Sequence, residues 1–151
     1  LTRPHLLVEG EPGRSSRPLG DDEHSAAVDV IADAHGWSRA VRRRLHRLLG
    51  HRLDDPRHVA MAAHEDGELV GVATGFLVDG LGQVVDVAVV PGQRRRGAGS
   101  ALCSAVAADL LLRGAERVWL TAEAGGTVER RWARLGFEPA FDAVTFVLPL
   151  E

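Results

Sequence analysis

The sequence of 151 residues contains no lysine, no asparagine and no tyrosine, and it has a single cysteine, Cys103. One thiol cannot form a disulfide within the chain, which suits a reducing compartment. Without tyrosine, no phenol is available as a proton donor for catalysis. No apolar run approaches the roughly 20 residues that cross a bilayer, and the first residues lack the layout of a signal peptide. These absences favour a cytoplasmic protein and predict no membrane partner.

The residues that are present indicate an ordinary globular protein. Apolar residues make up 45% and charged residues 26% of the chain, as in typical soluble domains. The 18 basic residues, all arginine, are outnumbered by 21 acids, which gives a formal net charge of −3. Because a negative net charge argues against general binding to polyanions, we predict no nucleic-acid partner. The seven histidines show no metal-ligand spacing, and we predict no metal site.

The order of helical and strand patterns predicts an α/β (α+β) fold. Residues 1–21 are predicted as an N-terminal strand-and-loop segment, with a short strand over 5–9 and a loop over 10–22, and residues 22–151 as a single domain. A crossover helix between two strands predicts one parallel pair in a mixed sheet. The predicted elements are helices from Asp22 to Gly36 and from Ser38 to about Gly50, a hairpin of strands over 58–64 and 68–78, a strand over 83–90, a helix over 100–113, a strand over 117–122, a helix over 127–135, and short strands around Phe137 and over 143–148.

The junction at 91–100, P-G-Q-R-R-R-G-A-G-S, follows a predicted strand and begins a predicted helix. The first N–H groups of a helix have no partner within the helix, and the helix dipole adds positive charge there. Glycine lets the backbone come close to a ligand, and arginine adds charge-assisted hydrogen bonds. The junction is therefore predicted to bind an anion such as phosphate.

Two common phosphate motifs do not fit this junction. Gly92 and Gly97 have the spacing of a P-loop, but Ala98 stands where the motif needs lysine. Gly97 and Gly99 begin a dinucleotide fingerprint, but Leu102 stands at its third glycine. Neither a P-loop nor a dinucleotide fold is predicted.

A third pattern fits. Arg94-x-x-Gly97-x-Gly99 resembles the R/Q-x-x-G-x-G/A signature of the GNAT superfamily of N-acetyltransferases, with V-A-V-V-P before it and S-A-L after it. An L-G-F element follows within R-W-A-R-L-G-F, and the resemblance covers roughly residues 58–148. It implies a GNAT-like mixed, mostly antiparallel central sheet flanked by helices, with splayed strands at the coenzyme site. It also implies an acetyl-coenzyme-A-dependent N-acetyltransferase that acts on a primary amine by direct attack in a ternary complex.

The resemblance further implies how acetyl-coenzyme A is held. The loop amides hold the pyrophosphate, and the splayed strand pairs with the pantetheine arm. Apart from the family pattern, we expect Trp132 to pack against the pantetheine or acetyl group. The other interpretation of the junction is a basic surface turn. The acceptor is a small molecule or a protein amine, and the sequence is compatible with a homodimer. The predicted coenzyme-binding residues are Val87, Ala88, Val89, Val90, Arg94, Arg95, Arg96, Gly97, Ala98, Gly99, Ser100 and Trp132.

Acyl transfer to an amine needs a base, a donor to the carbonyl oxygen and a proton for the leaving thiolate. The donor is a backbone N–H of the splayed strand, near Val89 or Val90. Asp86, in the apolar run V-V-D-V-A-V-V, is the first candidate for the base, and Glu123 is the second. The alternatives are that Asp86 caps or pairs structurally and that Glu123 is an ordinary loop acid.

The proton donor is where the sequence departs from the family pattern. Trp132 stands where many members carry a tyrosine, five residues before the phenylalanine of L-G-F. An indole N–H donates a hydrogen bond but cannot give up its proton. The family's frequent asparagine in this region is also missing, with Gly125 near its place. A coenzyme-binding module with little or no turnover is therefore the alternative function. Nucleic-acid binding through Arg42, Arg43, Arg44 and Arg47 is a third, disfavoured by the negative net charge.

Overall fold

The computed structural model describes residues 14–146 and 148, so the strand predicted over 5–9 lies outside the described residues. In chain order the elements are β1 (Arg14–Pro18), α1 (His24–His35), α2 (Arg39–Leu53), β2 (His58–Glu65), β3 (Glu68–Val78), β4 (Leu81–Val89), α3 (Ala98–Leu112), β5 (Arg117–Trp119) and α4 (Thr127–Arg134), with short 3-10 helices at Asp21–Glu23 and Pro91–Gln93.

The five strands form one sheet in the order β1-β2-β3-β4-β5. Neighbours from β1 to β4 are antiparallel, and β5 is parallel to β4. The parallel pairing runs only from Leu81↔Arg117 to Gln83↔Trp119, although β4 continues to Val89. We call the resulting opening beside residues 84–89 of β4 the splay. The predicted mixed, mostly antiparallel sheet with splayed strands is confirmed.

Two Asp-Gly turns set the register of the meander. Asp66 and Gly67 join β2 to β3 with φ angles of 52° and 82°, and Asp79 and Gly80 join β3 to β4 with 48° and 77°. Two successive residues with positive φ are typical of the tight turns whose twist matches that of the strands, and Asp-Gly tolerates this conformation. The predicted hairpin is confirmed.

Helices cover both faces of the sheet. On one face, α1 and α2 bury Ile31 against Val72 of β3 and Ala88 of β4. On the other, α3 comes so close that a Cβ at Gly75 would lie 2.5 Å from Val106, which leaves room only for glycine. The site described below lies where β4 leaves this packed region.

Two expectations about the elements are wrong. The predicted loop over 10–22 contains β1, which pairs with β2 from Arg14↔Glu65 to Pro18↔Met61; this pairing is between distant segments, and an edge strand tolerates proline. The second helix, expected to end at or near Gly50, ends at Leu53 with Gly50 in its last turn. No strand forms at Phe137 or in the described part of 143–148, because an apolar alternation makes a strand only where a neighbour is in reach.

Candidate functional site

The turn between β4 and α3 has a backbone shape that depends on glycine. After the 3-10 turn, Arg95 and Gly97 have positive φ angles of 64° and 84°. A side chain at position 97 would meet nothing within 4 Å, so glycine is favoured there by backbone conformation and not by lack of space. The turn lets α3 begin immediately beside the end of β4.

The N-terminus of α3 presents unpaired N–H groups at this turn. Gly97 is the N-cap, and it has no side chain that could cap the helix. The first backbone hydrogen bond of the helix joins the Ala101 N–H to the Gly97 carbonyl at 3.0 Å. The N–H groups of Ala98, Gly99 and Ser100 therefore precede the helical hydrogen-bond ladder. Together with the helix dipole they form a site suited to phosphate oxygens.

The side chain of Arg94 holds the turn to the rest of the protein. Its Nε donates to the Val89 carbonyl at 3.1 Å, and its Nη2 donates to the Ala34 carbonyl in the last turn of α1 at 3.1 Å. Both contacts are with the protein, so in this structure the Arg94 contribution to an anion site comes from its backbone.

The other two arginines of the turn differ from each other. The Arg96 guanidinium donates to Gln93 Oε1 at 3.1 Å and lies 3.6 Å from Glu65 Oε1. Arg95 is exposed, and its side chain makes no hydrogen bond or ion pair with the residues described over 14–146. Of the three guanidinium groups, that of Arg95 is the one left for an external anion.

The backbone of β4 has one edge on β3 and the other on the splay. The Val90 N–H donates to the Val70 carbonyl of β3 at 2.9 Å. Because successive residues of a strand point their N–H groups to opposite edges, those of Val89 and Val87 point toward the splay. Of the two predicted oxyanion donors, the Val90 N–H is already hydrogen-bonded to β3. The Val89 N–H is therefore the candidate that faces the splay.

Sequence reasoning missed Arg131. A Cβ built on Gly99 would lie 3.6 Å from Arg131 Nη1, and 3.7 Å from methyl carbons of Val87 and Val89. Gly99 therefore keeps open the mouth of the splay, and the exposed Arg131 on α4 places a cation beside it. In the sequence, Arg131 is recognisable only as a basic residue before Trp132. No local pattern indicates that α4 packs beside the start of α3.

A profile of the Acetyltransferase (GNAT) family matches residues 25–137, from α1 to the residue after Gly136. The chain belongs to the GNAT acetyltransferase family. A comparison with curated protein sequences finds no match. The matched region includes the turn from β4 to α3, the splay and α4, so the elements that build the candidate site of this GNAT protein are those of the family.

Solved structures show the same fold at low identity. An aminoglycoside N-acetyltransferase AAC(6')-Iy in complex with CoA has a TM-score of 0.77 at 17% identity, covering 94% of this chain and 99% of its own. The ribosomal-protein-S18-alanine N-acetyltransferase from Escherichia coli has 0.70 at 22%, covering 85% and 79%. A transcriptional regulator from Bacillus halodurans C-125 has 0.70 at 18%, covering 89% and 99%. These likenesses establish the GNAT fold and leave the acceptor open.

Asp86 lies on the sheet face that carries α1 and α2. It pairs across the strands with Thr74, whose Oγ1 donates to Asp86 Oδ2 at 3.2 Å. Asp86 is only partly buried, whereas Thr74 is 1% exposed. The hydrogen bond orients one carboxylate oxygen and leaves the other to accept a proton, which is the geometry a base or a water-positioning group requires.

His58 is a second group that sequence reasoning missed. It is buried, and neither ring nitrogen has a partner among the described residues. Burial lowers the pKa of His58 to about 4, and the cation of Arg52 acts in the same direction, while the carboxylates of Asp55 and Asp86 oppose the shift. His58 is thus a neutral ring near Asp86 at neutral pH.

The structure does not bring the other predicted groups to Asp86. Glu123 is an exposed residue of the loop after β5, and its carbonyl accepts from the Gly126 N–H at 3.3 Å. Trp132 is 7% exposed and packs in the core with Leu102 and Val106 of α3. Trp132 thus presents little surface for contact with a coenzyme.

Two residues have structural roles. Cys103 is buried in α3, and burial raises the pKa of its thiol to about 12, so it is not a nucleophile at neutral pH. Arg42 of the basic helix bridges Asp29 and Asp33 of α1, which ties α2 to α1. No helix in the described ranges is long and apolar enough to cross a bilayer.

Proposed function

We propose that this GNAT protein transfers the acetyl group of acetyl-coenzyme A to a primary amine by direct attack in a ternary complex. The observation that supports this most strongly is the splay of β4 and β5 with the N-terminus of α3 at its mouth. An open strand edge beside unpaired helix amides suits a ligand with a pyrophosphate at one end and an amide-containing arm at the other.

The residues present fit the coenzyme. The N–H groups of Ala98, Gly99 and Ser100 are assigned to the pyrophosphate, with the side chains of Arg95 and Arg131 nearby. The N–H and carbonyl groups of β4 that face the splay are assigned to the amides of the pantetheine arm. Gly99 lacks the side chain that would narrow the passage between them. Acetyl-coenzyme A, the usual cosubstrate of the family, supplies the acetyl group as a thioester.

The chemistry of the chain's own residues then follows. The Val89 N–H donates to the carbonyl oxygen as negative charge develops on it. The amine nitrogen forms a bond to the carbonyl carbon, and the carbon–sulfur bond breaks. Asp86, directly or through one water, takes the proton that the nitrogen loses. The leaving thiolate takes a proton from solvent, because no tyrosine is available and Trp132 cannot supply one.

Asp86→Asn tests the base. The amide keeps the size of the side chain and an oxygen that can accept from Thr74, but it cannot take a proton. We expect kcat to fall about 100-fold or more and the acidic limb of the pH–rate profile to disappear, with acetyl-coenzyme A affinity unchanged. Glu123→Gln is the matched comparison. An unaltered profile in Asp86→Asn, with a loss in Glu123→Gln, would move the role to Glu123.

The burial of Trp132 favours a second candidate function. A GNAT domain without a proton donor near the coenzyme sulfur could bind acetyl-coenzyme A and act as a sensor or scaffold. Coenzyme release over a broad panel of primary amines, measured beside acetyl-coenzyme A affinity, separates the two functions. Tight binding with no turnover on any amine supports the binding module.

A further inference from the structure

Four strands carry a continuous row of side chains on the sheet face of Asp86. Cross-strand pairing joins His58 to Phe76, Phe76 to Gln83, and Gln83 to Trp119. Residues paired across strands share a face, and Phe76 is two positions from Thr74, the partner of Asp86. The row therefore lies on the same face as Asp86. It is the neighbouring row of paired residues on this face, at the end of the splay where β4 and β5 still pair.

Three members of this row, Phe76, Gln83 and Trp119, line a cavity of about 250 Å³. Its lining residues include Phe76, Val78, Leu81 and Trp119, with Asp79 and Gln83 as polar groups. Val78, Leu81 and Trp119 are 41%, 51% and 40% exposed, so no part of the chain that the structure describes covers them. A patch of exposed apolar side chains beside a few polar groups is typical of a binding surface.

The cavity is placed at reaching distance from the reacting atoms. Strands rise about 3.3 Å per residue, so Gln83 lies at most about 10 Å from Asp86 along β4. An amine held at Asp86 would direct its substituent toward Gln83 and into the cavity. The length available accommodates a short alkyl linker and one ring.

The charges around the row favour a cation at Asp86. Arg57 lies 5.0 Å from the centre of the Phe76 ring, but its charge is matched by Asp55, with Nη2 and Oδ2 2.8 Å apart. Asp79 in the turn and Asp86 on the strand carry negative charge on the two sides of the row.

Two charges lie farther out. Glu116 approaches Gly80, with a carboxylate oxygen 3.7 Å from the position of a Cβ there. Arg117 is the strand partner of Leu81 at the far end of the face, and its positive charge opposes the negative charge of Glu116.

Arg52 and Arg113 act on His58 at the end of the row, and Arg113 is paired with Asp109. The negative charge that suits the protonated form of an amine, before it gives up its proton, is that of Asp86.

We infer that this cavity is the acceptor subsite and that it takes a primary amine joined by a short linker to one aromatic or branched apolar group. The inference rests on the proposed function. Phe76 and Trp119 contact the apolar group, Gln83 lies between this group and the amine along β4, and Asp86 receives the amine. Polyamines and aminoglycosides lack the apolar group that the row would bury.

Phe76→Leu tests the subsite, and a matched pair of turn variants provides the controls. Asp66 and Asp79 are the first residues of two Asp-Gly turns with nearly the same φ, 52° and 48°, at opposite ends of β3. Asparagine tolerates this conformation as well as aspartate, so Asp66→Asn and Asp79→Asn are both expected to fold. The probes are 2-phenylethylamine, spermidine and neamine, each titrated by calorimetry into protein saturated with coenzyme A and each assayed for acetyl transfer.

We expect 2-phenylethylamine to bind more tightly than either other amine, and Phe76→Leu to raise its Kd and KM about fivefold to 20-fold with coenzyme A affinity unchanged, because the aromatic contact is lost. Asp66→Asn and Asp79→Asn are each expected to change this Kd by less than about twofold, since both carboxylates are exposed and lie more than a Debye length from an amine at Asp86. A larger effect of Asp79→Asn would place the amine at the turn and contradict its placement at Asp86.

Binding that depends on Phe76 without turnover would keep the subsite and overturn the proposed function. No saturable binding of 2-phenylethylamine, or binding unaffected by Phe76→Leu, would overturn the subsite, whether or not another amine is acetylated.

Discussion

Gly99 allows stability and coenzyme binding to be separated in one series of variants. A Cβ at this position would lie between 3.6 and 3.7 Å from its nearest neighbours on β4 and α4, which is ordinary van der Waals contact. Gly99→Ala therefore fits the protein, and the family signature that Gly99 matches also admits alanine. Gly99→Leu adds three further carbons, which extend into the mouth of the splay.

The two substitutions should have opposite effects on different quantities. Replacing a helical glycine by alanine stabilises a protein by up to about 1 kcal/mol, so Gly99→Ala should raise Tm by up to about 3 °C in a chain of this size. Its coenzyme affinity should stay within about twofold of the parent. The leucine must be accommodated against the ligand at a cost of about 1–3 kcal/mol, which corresponds to a loss of affinity of about fivefold to 150-fold.

Thermal unfolding and calorimetric titration with coenzyme A measure the two quantities on the same samples. Gly50→Ala in α2 is the control, since it is a helical glycine far along the chain from the turn, with a Cβ position 3.3 Å from the His24 ring; it should leave coenzyme affinity unchanged. If Gly99→Leu is folded and binds coenzyme A as tightly as the parent, the ligand does not pass Gly99 and the assignment of the splay is wrong.

The remaining predictions concern Arg131 and His58. Arg131→Gln should weaken coenzyme A about threefold to tenfold, with a larger effect at low salt; Arg134→Gln on the same helix is the control, and equal effects of the two would refute a specific role. His58 has its pKa lowered to about 4 in the folded protein, against about 6.5 when unfolded. Between these values the unfolded chain binds the proton that the folded chain excludes, so stability should fall as the pH drops from about 6.5 to about 4, by at most about 3 kcal/mol. His58→Gln should flatten this slope in denaturant titrations, whereas replacement of the exposed His51 should not; a slope unchanged in His58→Gln would mean that other groups cause it.

The parts of the fold that were predictable are those set by local sequence. The Asp-Gly pairs at 66–67 and 79–80 require positive φ and so mark turns from the sequence alone. Ser38 begins α2 as expected, with its side chain accepting from the Val41 N–H. The glycines of the β4–α3 turn were recognisable because their spacing matches the signature of the family to which the chain belongs.

The parts that were not predictable depend on contacts between distant segments. β1 exists because β2 offers an edge, and its own residues resemble a loop. Arg131 reaches Gly99 only once α4 has packed, and Arg94 contacts Ala34 because α1 ends beside β4. Likewise, the row from His58 to Trp119 comes from four strands whose register no local pattern specifies.

The most direct test of the central proposal is acetyl transfer itself. The protein is incubated with acetyl-coenzyme A that carries an isotopic label in the acetyl group and with a panel of primary amines, and the products are analysed by mass spectrometry. The account predicts a labelled N-acetyl product whose formation at subsaturating acetyl-coenzyme A falls about fivefold to 150-fold in Gly99→Leu and about 100-fold or more in Asp86→Asn. Saturating coenzyme binding with no labelled amine from any member of the panel would contradict it.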